Sequence, residues 1–346
     1  MIDLRSDTIT RPTQKMLDAM LSAKVGDDVY GEDPTTKELE SCIAHYFGMD
    51  NAMFFPSGTM ANQAAIKLHT NPGDQVIAHE YSHVYNYEGG GASFNSGVSF
   101  KLLKGEKGFF SSDQLCDAIN PKEFYHSPLT KLVCIENTTN KGGGSCWDFN
   151  DFSEISKICK KNKLGIHMDG ARIWNSIVAK KDNPKIYGDY FDTMSVCLSK
   201  GLGCPIGSVL VGKKEFIDKA LRVRKILGGG MRQVGYLAAA GLYALENNIS
   251  RMSHDHNRAK EIGLLFSKKS FVQNVNDIET NIVIIELSKG TSKQDVVDYF
   301  TEKDIVFDWN SMGKEKIRIV THLNHTDSDQ QYLIEAIDNY LSLIHI

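Results

Sequence analysis

Lys131-Leu-Val-Cys-Ile135, Leu164-Gly-Ile-His-Met168, Met194-Ser-Val-Cys-Leu198 and Ser208-Val-Leu-Val211 are four short apolar runs rich in β-formers. Between the first two, Phe152 to Lys163 places Phe152, Ile155 and Ile158 at helical spacing. Strand, helix and strand in alternation predict an α/β fold, with a mostly parallel sheet between helices on both faces, because parallel neighbours need crossover connections. Beyond about residue 245 the pattern changes to a long polar-rich helix, strands near 281–287 and 317–321, and a closing helix from 327 to 343. That reads as a smaller C-terminal α/β domain. The expected division is an N-terminal arm over 1–30, a large domain over 31–245 and the small domain over 246–346.

The 346 residues are 41% apolar and 24% charged, with a formal net charge of −4. A chain of this length buries about three-quarters of its unfolded surface, so it supports a large core. Mild acidity without a basic block argues against nucleic acid, whose binding needs clustered Lys and Arg to displace counterions. A small-molecule partner is expected. The N-terminus carries Asp3, Arg5 and Asp7 where a secretory signal needs an apolar stretch, and no apolar run reaches the roughly 18 residues of a membrane helix. Seven scattered cysteines without a C-x-x-C pair fit a reduced cytoplasm and no zinc site.

Gly89-Gly90-Gly91, Gly142-Gly143-Gly144 and Gly228-Gly229-Gly230 mark loops with unusual backbone angles or close approaches. Gly201-Leu-Gly203-Cys-Pro-Ile-Gly207 approximates a dinucleotide fingerprint but fails on spacing. Its third glycine is one residue late, a proline interrupts, and a strand follows instead of a helix.

Three segments carry chemistry. Ser57-Gly58-Thr59 precedes the helical apolar stripe Met60, Ala61, Ala64, Ala65 and Leu68. A helix N-terminus there offers free N–H groups and hydroxyls to a phosphate, although the same residues would also serve as an ordinary cap. In Gly165-Ile-His167-Met-Asp169-Gly170-Ala-Arg172 an acid leaves the C-terminal end of a buried strand, the edge where doubly wound sheets bind ligands. In Leu198-Ser-Lys200-Gly201 a lysine does the same, and a desolvated amine at such a place is a usable nucleophile. Each alone reads equally as a surface turn. Taken in order, a phosphate cradle, an acid and a lysine 31 residues later make the parts of a pyridoxal phosphate site. The lysine forms the Schiff base, the acid keeps the pyridine nitrogen protonated, and the cradle holds the phosphate.

The chain then resembles the low-specificity L-threonine aldolases, within the β-eliminating lyase group of fold type I pyridoxal phosphate enzymes. The resemblance rests on Asp3-Leu-Arg-Ser6-Asp7-Thr8-Ile-Thr10-Arg11-Pro12, Val25-Gly-Asp27-Asp28-Val-Tyr30-Gly31-Glu32-Asp33-Pro34 and Pro56-Ser-Gly-Thr-Met-Ala-Asn62. It continues through His167-Met-Asp-Gly-Ala-Arg172, Leu198-Ser-Lys-Gly-Leu-Gly203 and Gly228-Gly-Gly-Met-Arg232-Gln233. It runs from residue 3 to about 245 and more loosely beyond.

The resemblance implies residue roles. Lys200 is the Schiff-base lysine, Asp169 the pyridine partner, and Ser57, Gly58 and Thr59 the phosphate site. His83 stacks on the cofactor ring, with Arg172 also near it. Ser6, Arg172 and Arg318 hold the substrate carboxylate, Tyr30 contacts substrate, and His126 lies near the substrate hydroxyl. Arg232 and Lys225 reach a phosphate in the neighbouring subunit of a homodimer or homotetramer with shared active sites. Family members can hold a cation near Thr8, Thr10 and Ser199, which nothing in the spacing requires. Two departures are Thr139, where histidine is common, and Cys204, where alanine is usual.

The expected reaction is aldol cleavage of L-threonine or L-allo-threonine to glycine and an aldehyde such as acetaldehyde, with His83 or His126 as base. Other reactions of the same fold are β-elimination from an aromatic amino acid, racemisation and transamination. A non-catalytic scaffold is disfavoured by the intact Lys200, Asp169 and Ser57-Gly58-Thr59. A metal-dependent lyase is disfavoured because His167 and Asp169 supply only two ligands.

Overall fold

The structure is a computed structural model that describes residues 1–340. Seven strands form the central sheet in the spatial order Asn51–Phe55, Ser208–Gly212, Thr193–Cys197, Gly165–Gly170, Thr130–Glu136, Gln75–His79 and Ser99–Leu103. All run one way except Ser208–Gly212, which is antiparallel to both neighbours. Every residue of Gln75–His79, Thr193–Cys197 and Ser208–Gly212 is buried, as expected of strands covered on both faces. The strands expected at 131–135, 164–168, 194–198 and 208–211 appear with one or two residues of drift, and the intervening helix spans Phe149–Asn162.

A second, antiparallel sheet pairs Ile282–Leu287 with Lys316–Val320 on one side and Val272–Val275 on the other. The polar-rich helix is Met252–Phe266, and the closing helix is Asp327–Asn339; the last expected turn, 341–343, lies outside the described residues. No helix among the described residues is long and apolar enough to cross a membrane.

The N-terminal segment joins both parts. Ile2–Asp3 pairs in parallel with Ile305–Val306, and Leu4 is buried in the same cluster as Phe266, Ile285 and Ile319. The helix Gln14–Leu21 instead sends Met16 into the main core beside Leu39 and Ala238. Residues 6–10 therefore cross between the two sheets. They meet the C-terminal edge of the central sheet, where six parallel strands end together.

Candidate active site

Two cavities meet at that edge. One of about 340 Å³ is lined by Ser57, Gly58, Thr59, Asn62, Asp169 and Ser195. The other, of about 260 Å³, is lined by Ser6, Tyr87, Glu136, Asn140, Arg172 and Arg318. Thr8, His83, Ala171 and Lys200 line both, so they form one cleft with two lobes. A larger hollow of about 750 Å³ lies between Glu40, His45 and Asp218. Burial pushes its Glu40 carboxyl up to about 7, and that carboxylate accepts from the Phe54 N–H at 2.7 Å. It gathers no arginine and none of the motif residues Ser57, Asp169 or Lys200, so volume does not locate the chemistry.

In the first lobe the helix Gly58–His69 begins directly after the strand Asn51–Phe55. Ser57 is extended and accepts from the Met60 N–H at 3.2 Å, which leaves its O–H and the first N–H groups of the helix free toward the cavity. Asp169 is 3% exposed. Its Oδ1 accepts from the Ala171 N–H at 3.1 Å, whereas Oδ2 is buried without any partner. A carboxylate oxygen left unpaired in a nearly dry wall demands a donor, and the N–H of a protonated pyridine supplies one. Gly170 permits this wall, because a Cβ there would stand 2.5 Å from the Ser195 carbonyl oxygen. Across the lobe the Thr10 hydroxyl donates to the Lys200 carbonyl at 2.9 Å, pinning the lysine's backbone. Phosphate cradle, orphaned acid and lysine thus fit pyridoxal phosphate.

The second lobe is an anion site. Arg172 and Arg318 are 4% and 7% exposed, and both reach toward the Asn140 side-chain oxygen. Burial and the Arg172 cation together lower the proton affinity of Arg318. Arg172 is compensated by Asp7, while the Nε of Arg318 makes no hydrogen bond although Asp308 Oδ2 lies 3.3 Å away. Two buried guanidiniums sharing one acceptor call for a further carboxylate.

His83 stands where the lobes meet. Its ring Nδ1 lies 3.0 Å from Glu88 Oε1, and its backbone N–H donates to Glu136 Oε2 at 2.7 Å. Burial works against the imidazolium, but the Glu88 hydrogen bond and the Asp169, Glu88 and Glu136 carboxylates outweigh it, so the imidazole sits above its ordinary value. Burial and Asp169 push the Glu136 carboxyl up to about 7. His83, Glu88 and Asp169 bring acceptor atoms within 4.8 Å of one another, a spacing that could also hold a metal ion. Both Glu88 oxygens already accept from the Asn62 and Gln63 amides, at 2.8 and 2.6 Å, which marks the cluster as a hydrogen-bonded net.

The cleft therefore brings together Ser6, Ser57, Gly58, Thr59, His83, Asp169, Arg172, Lys200 and Arg318. It does not bring in His126. That residue lies on an exposed turn, its ring 4.0 Å from Tyr125, before the N-terminal end of Thr130–Glu136. The seven residues of this strand span about 20 Å, and Glu136 at their far end is the one that reaches the cleft. Tyr30, Lys225 and Arg232 are exposed outside the cleft, with Arg232 paired to Asp27 at 2.9 Å and set over the Tyr30 ring. Sequence reading missed Asp7, Glu88, Glu136 and Asn140. A signal for Glu88 was its place five residues after His83 and just before the Gly89-Gly90-Gly91 turn.

Comparison with known proteins agrees with this geometry. The β-eliminating lyase family model matches residues 3–289. A probable low-specificity L-threonine aldolase 2 of Arabidopsis thaliana is 39% identical over 341 residues, covering 97% of this chain and 96% of that protein. The low specificity L-threonine aldolase of Escherichia coli strain K12 is 37% identical over 325 residues, covering 94% of each. Among solved structures, threonine aldolase of Leishmania major superposes with a TM-score of 0.84 at 18% identity, covering 98% of this chain and 99% of that one. Serine palmitoyltransferase of Sphingomonas wittichii gives 0.76 at 15%, covering 97% and 86%. These two likenesses speak for the fold.

Proposed function

Because the chain belongs to the β-eliminating lyase family, we propose that it is a pyridoxal-phosphate-dependent L-threonine aldolase. It cleaves L-threonine, L-allo-threonine and related L-β-hydroxy-α-amino acids to glycine and an aldehyde such as acetaldehyde. One observation carries the reading: an orphaned Asp169 oxygen and Lys200 share a cleft with the buried Arg172 and Arg318 pair. β-Elimination, racemisation and transamination use the same cofactor parts, and the names of both relatives favour aldol cleavage over them.

Bound pyridoxal phosphate supplies an aldehyde that condenses with amines and a ring that accepts the electron pair left when the Cα–Cβ bond breaks. Lys200 provides the amine that tethers it. Asp169 Oδ2 would accept from the pyridine N–H, and the N-terminus of Gly58–His69, with the Ser57 and Thr59 hydroxyls, would hold the phosphate. Arg318 binds the substrate carboxylate with a planar fork, and Arg172, already neutralised by Asp7, supports it. The free Nε2 of His83 takes the β-hydroxyl proton. Position supports His83 over His126, which within this chain precedes the end of the strand Thr130–Glu136 that lies away from the cleft. Cleavage releases the aldehyde, and a proton delivered to Cα completes glycine.

Assembly as a homodimer or homotetramer belongs to the same reading. The exposed Arg232, Lys225 and Tyr30 are suited to reach a second copy's cleft. Seven free cysteines are consistent with a cytoplasmic setting. Incubation with L-threonine, with acetaldehyde read by coupling to an alcohol dehydrogenase, tests the function. Ammonia and a keto acid in place of acetaldehyde would replace the aldolase reading with an elimination.

A further inference from the structure

We propose that Glu88 is a positioning residue for His83, fixing the ring with its proton on Nδ1 and leaving Nε2 as the proton acceptor in the cleft. The proposal rests on the aldolase reading for its kinetic consequence, but the tautomer follows from the hydrogen bonds alone.

A buried chain of polar groups runs from His167 through Asn62 to Glu88. His167 is fully buried, and burial pushes its pKa down to about 3, so its imidazole is neutral and carries one proton. Its Nε2 lies 3.1 Å from Asn62 Oδ1 and its Nδ1 lies 2.9 Å from the Thr193 hydroxyl. The Ser195 hydroxyl also donates to Asn62 Oδ1, at 2.6 Å. The His167 Nδ1 also lies 3.2 Å from the Thr193 carbonyl oxygen, which can only accept, so this ring finds an acceptor on either side and does not itself set the Asn62 amide. The Asn62 amide is set from its other end, where the Glu88 carboxylate can only accept: its NH₂ donates to Glu88 Oε1, 2.8 Å away, and its oxygen faces the sheet. Gln63 is oriented in the same manner. Its oxygen accepts from Asn95 at 3.3 Å, so its NH₂ donates to Glu88 Oε2 at 2.6 Å.

Glu88, whose side chain has no exposed surface, therefore meets donors at both oxygens and is held as an acceptor. His83 Nδ1, 3.0 Å from Oε1, must be a donor. Among the described residues the other ring nitrogen has no hydrogen-bond partner, and His83 lines both lobes. When Nε2 takes a proton, the Glu88 carboxylate stabilises the imidazolium across the ring, the part an acid plays behind a catalytic histidine. His83 is faced by Glu88 and Tyr87 on its own segment, Asp169 and Glu136 at the ends of two strands, and Lys200, Arg172 and Arg318 across the cleft. Glu88 alone touches the ring nitrogen.

The test uses the holoenzyme with ¹⁵N-labelled histidine. Two-bond ¹H–¹⁵N spectra, assigned with a His83→Asn control, report the tautomer and titration midpoint of His83. Wild-type protein is expected to show a protonated Nδ1 and a bare Nε2 on the alkaline side. In Glu88→Gln, an amide of the same shape, the midpoint falls by about one pH unit or more. The acid limb of kcat/KM moves down with it. kcat drops by about 100-fold or more while KM for L-threonine changes by less than about threefold. A wild-type His83 protonated on Nε2 overturns the proposal whether or not the variant folds. So does a Glu88→Gln enzyme with an unchanged midpoint or a kcat within twofold of wild type. A wild-type enzyme that releases no acetaldehyde yet shows the Nδ1–H tautomer defeats the functional reading and leaves the placement of the proton standing.

Discussion

Asp7 and Arg172, separated by 165 residues in the chain, form a buried two-point ion pair, with Nε to Oδ2 at 2.8 Å and Nη2 to Oδ1 at 2.7 Å. Asp7 has no exposed surface and Arg172 has 4%. The pair ties the N-terminal crossing segment to the strand end that carries Asp169. Burial alone would raise the Asp7 carboxyl, but the Arg172 cation and its hydrogen bonds, with Lys200 and Asn281, hold it well below the usual carboxylate range. Its folded value is depressed, so its stabilisation is fully present above the unfolded value near 4 and lost only as pH falls below that. Asp7→Asn leaves Arg172 beside Arg318 without a counter-charge, and unfolding in urea at pH 7 should show a loss of about 3–5 kcal/mol.

Arg318→Leu removes the guanidinium assigned to the substrate carboxylate. Steady-state kinetics with L-threonine should show kcat/KM down by about 100-fold, roughly 3 kcal/mol of lost charge-assisted binding, with KM carrying much of the change. Arg318→Lys should recover only a small part, because an ammonium cannot present the planar fork. An unchanged KM in both variants would move the carboxylate site elsewhere.

Lys200→Ala should abolish turnover and the visible absorbance of the protein as purified with cofactor. Added pyridoxal phosphate should still bind reversibly, because the Ser57-Gly58-Thr59 cradle and Asp169 remain. The spectrum before and after dialysis distinguishes the two states. Retention of a covalently bound chromophore in the variant would assign the tether to another residue.

His256 lies 4% exposed in the helix Met252–Phe266, accepting from the Asn175 amide at 3.2 Å, and burial pushes it down to about 4. The unfolded chain binds this proton below about 6.5 while the folded one refuses it until about 4, so stability is present above 6.5 and lost as pH falls toward 4. His256→Gln should therefore lose less stability than wild type between pH 7 and pH 4.5, by roughly 2 kcal/mol. Paired urea titrations at those two pH values measure it. Equal losses in both proteins would show that His256 does not refuse its proton.

The placement of Lys200 and Asp169 was legible in the sequence because it follows from local facts: a strand, its polarity, and the residue that leaves its C-terminal end. The same rule explains why His126 lies outside this chain's own cleft. It was placed by resemblance, but it precedes a strand whose opposite end meets the cleft. Asp7, Asn140 and Glu88 acquire their meaning from partners brought together by tertiary folding, Arg172 for the first, the two arginines for the second, and Asn62 and Gln63 for the third. No periodicity announces a carboxylate that pairs across 165 residues. The parallel alternation was readable, whereas the reversed strand Ser208–Gly212 was not, since its short connection from Cys197 leaves no helical pattern to miss. The expected N-terminal arm also proved divided in its contacts, Leu4 with the small sheet and Met16 with the large one.

The central claim is that this cleft breaks the Cα–Cβ bond of a β-hydroxy amino acid. Uniformly ¹³C-labelled L-threonine, followed by NMR with the holoenzyme, tests it most directly. The account predicts glycine and acetaldehyde appearing in equal amounts, each keeping its own one-bond carbon coupling. Labelled 2-oxobutanoate with release of ammonia, and no glycine, would contradict it.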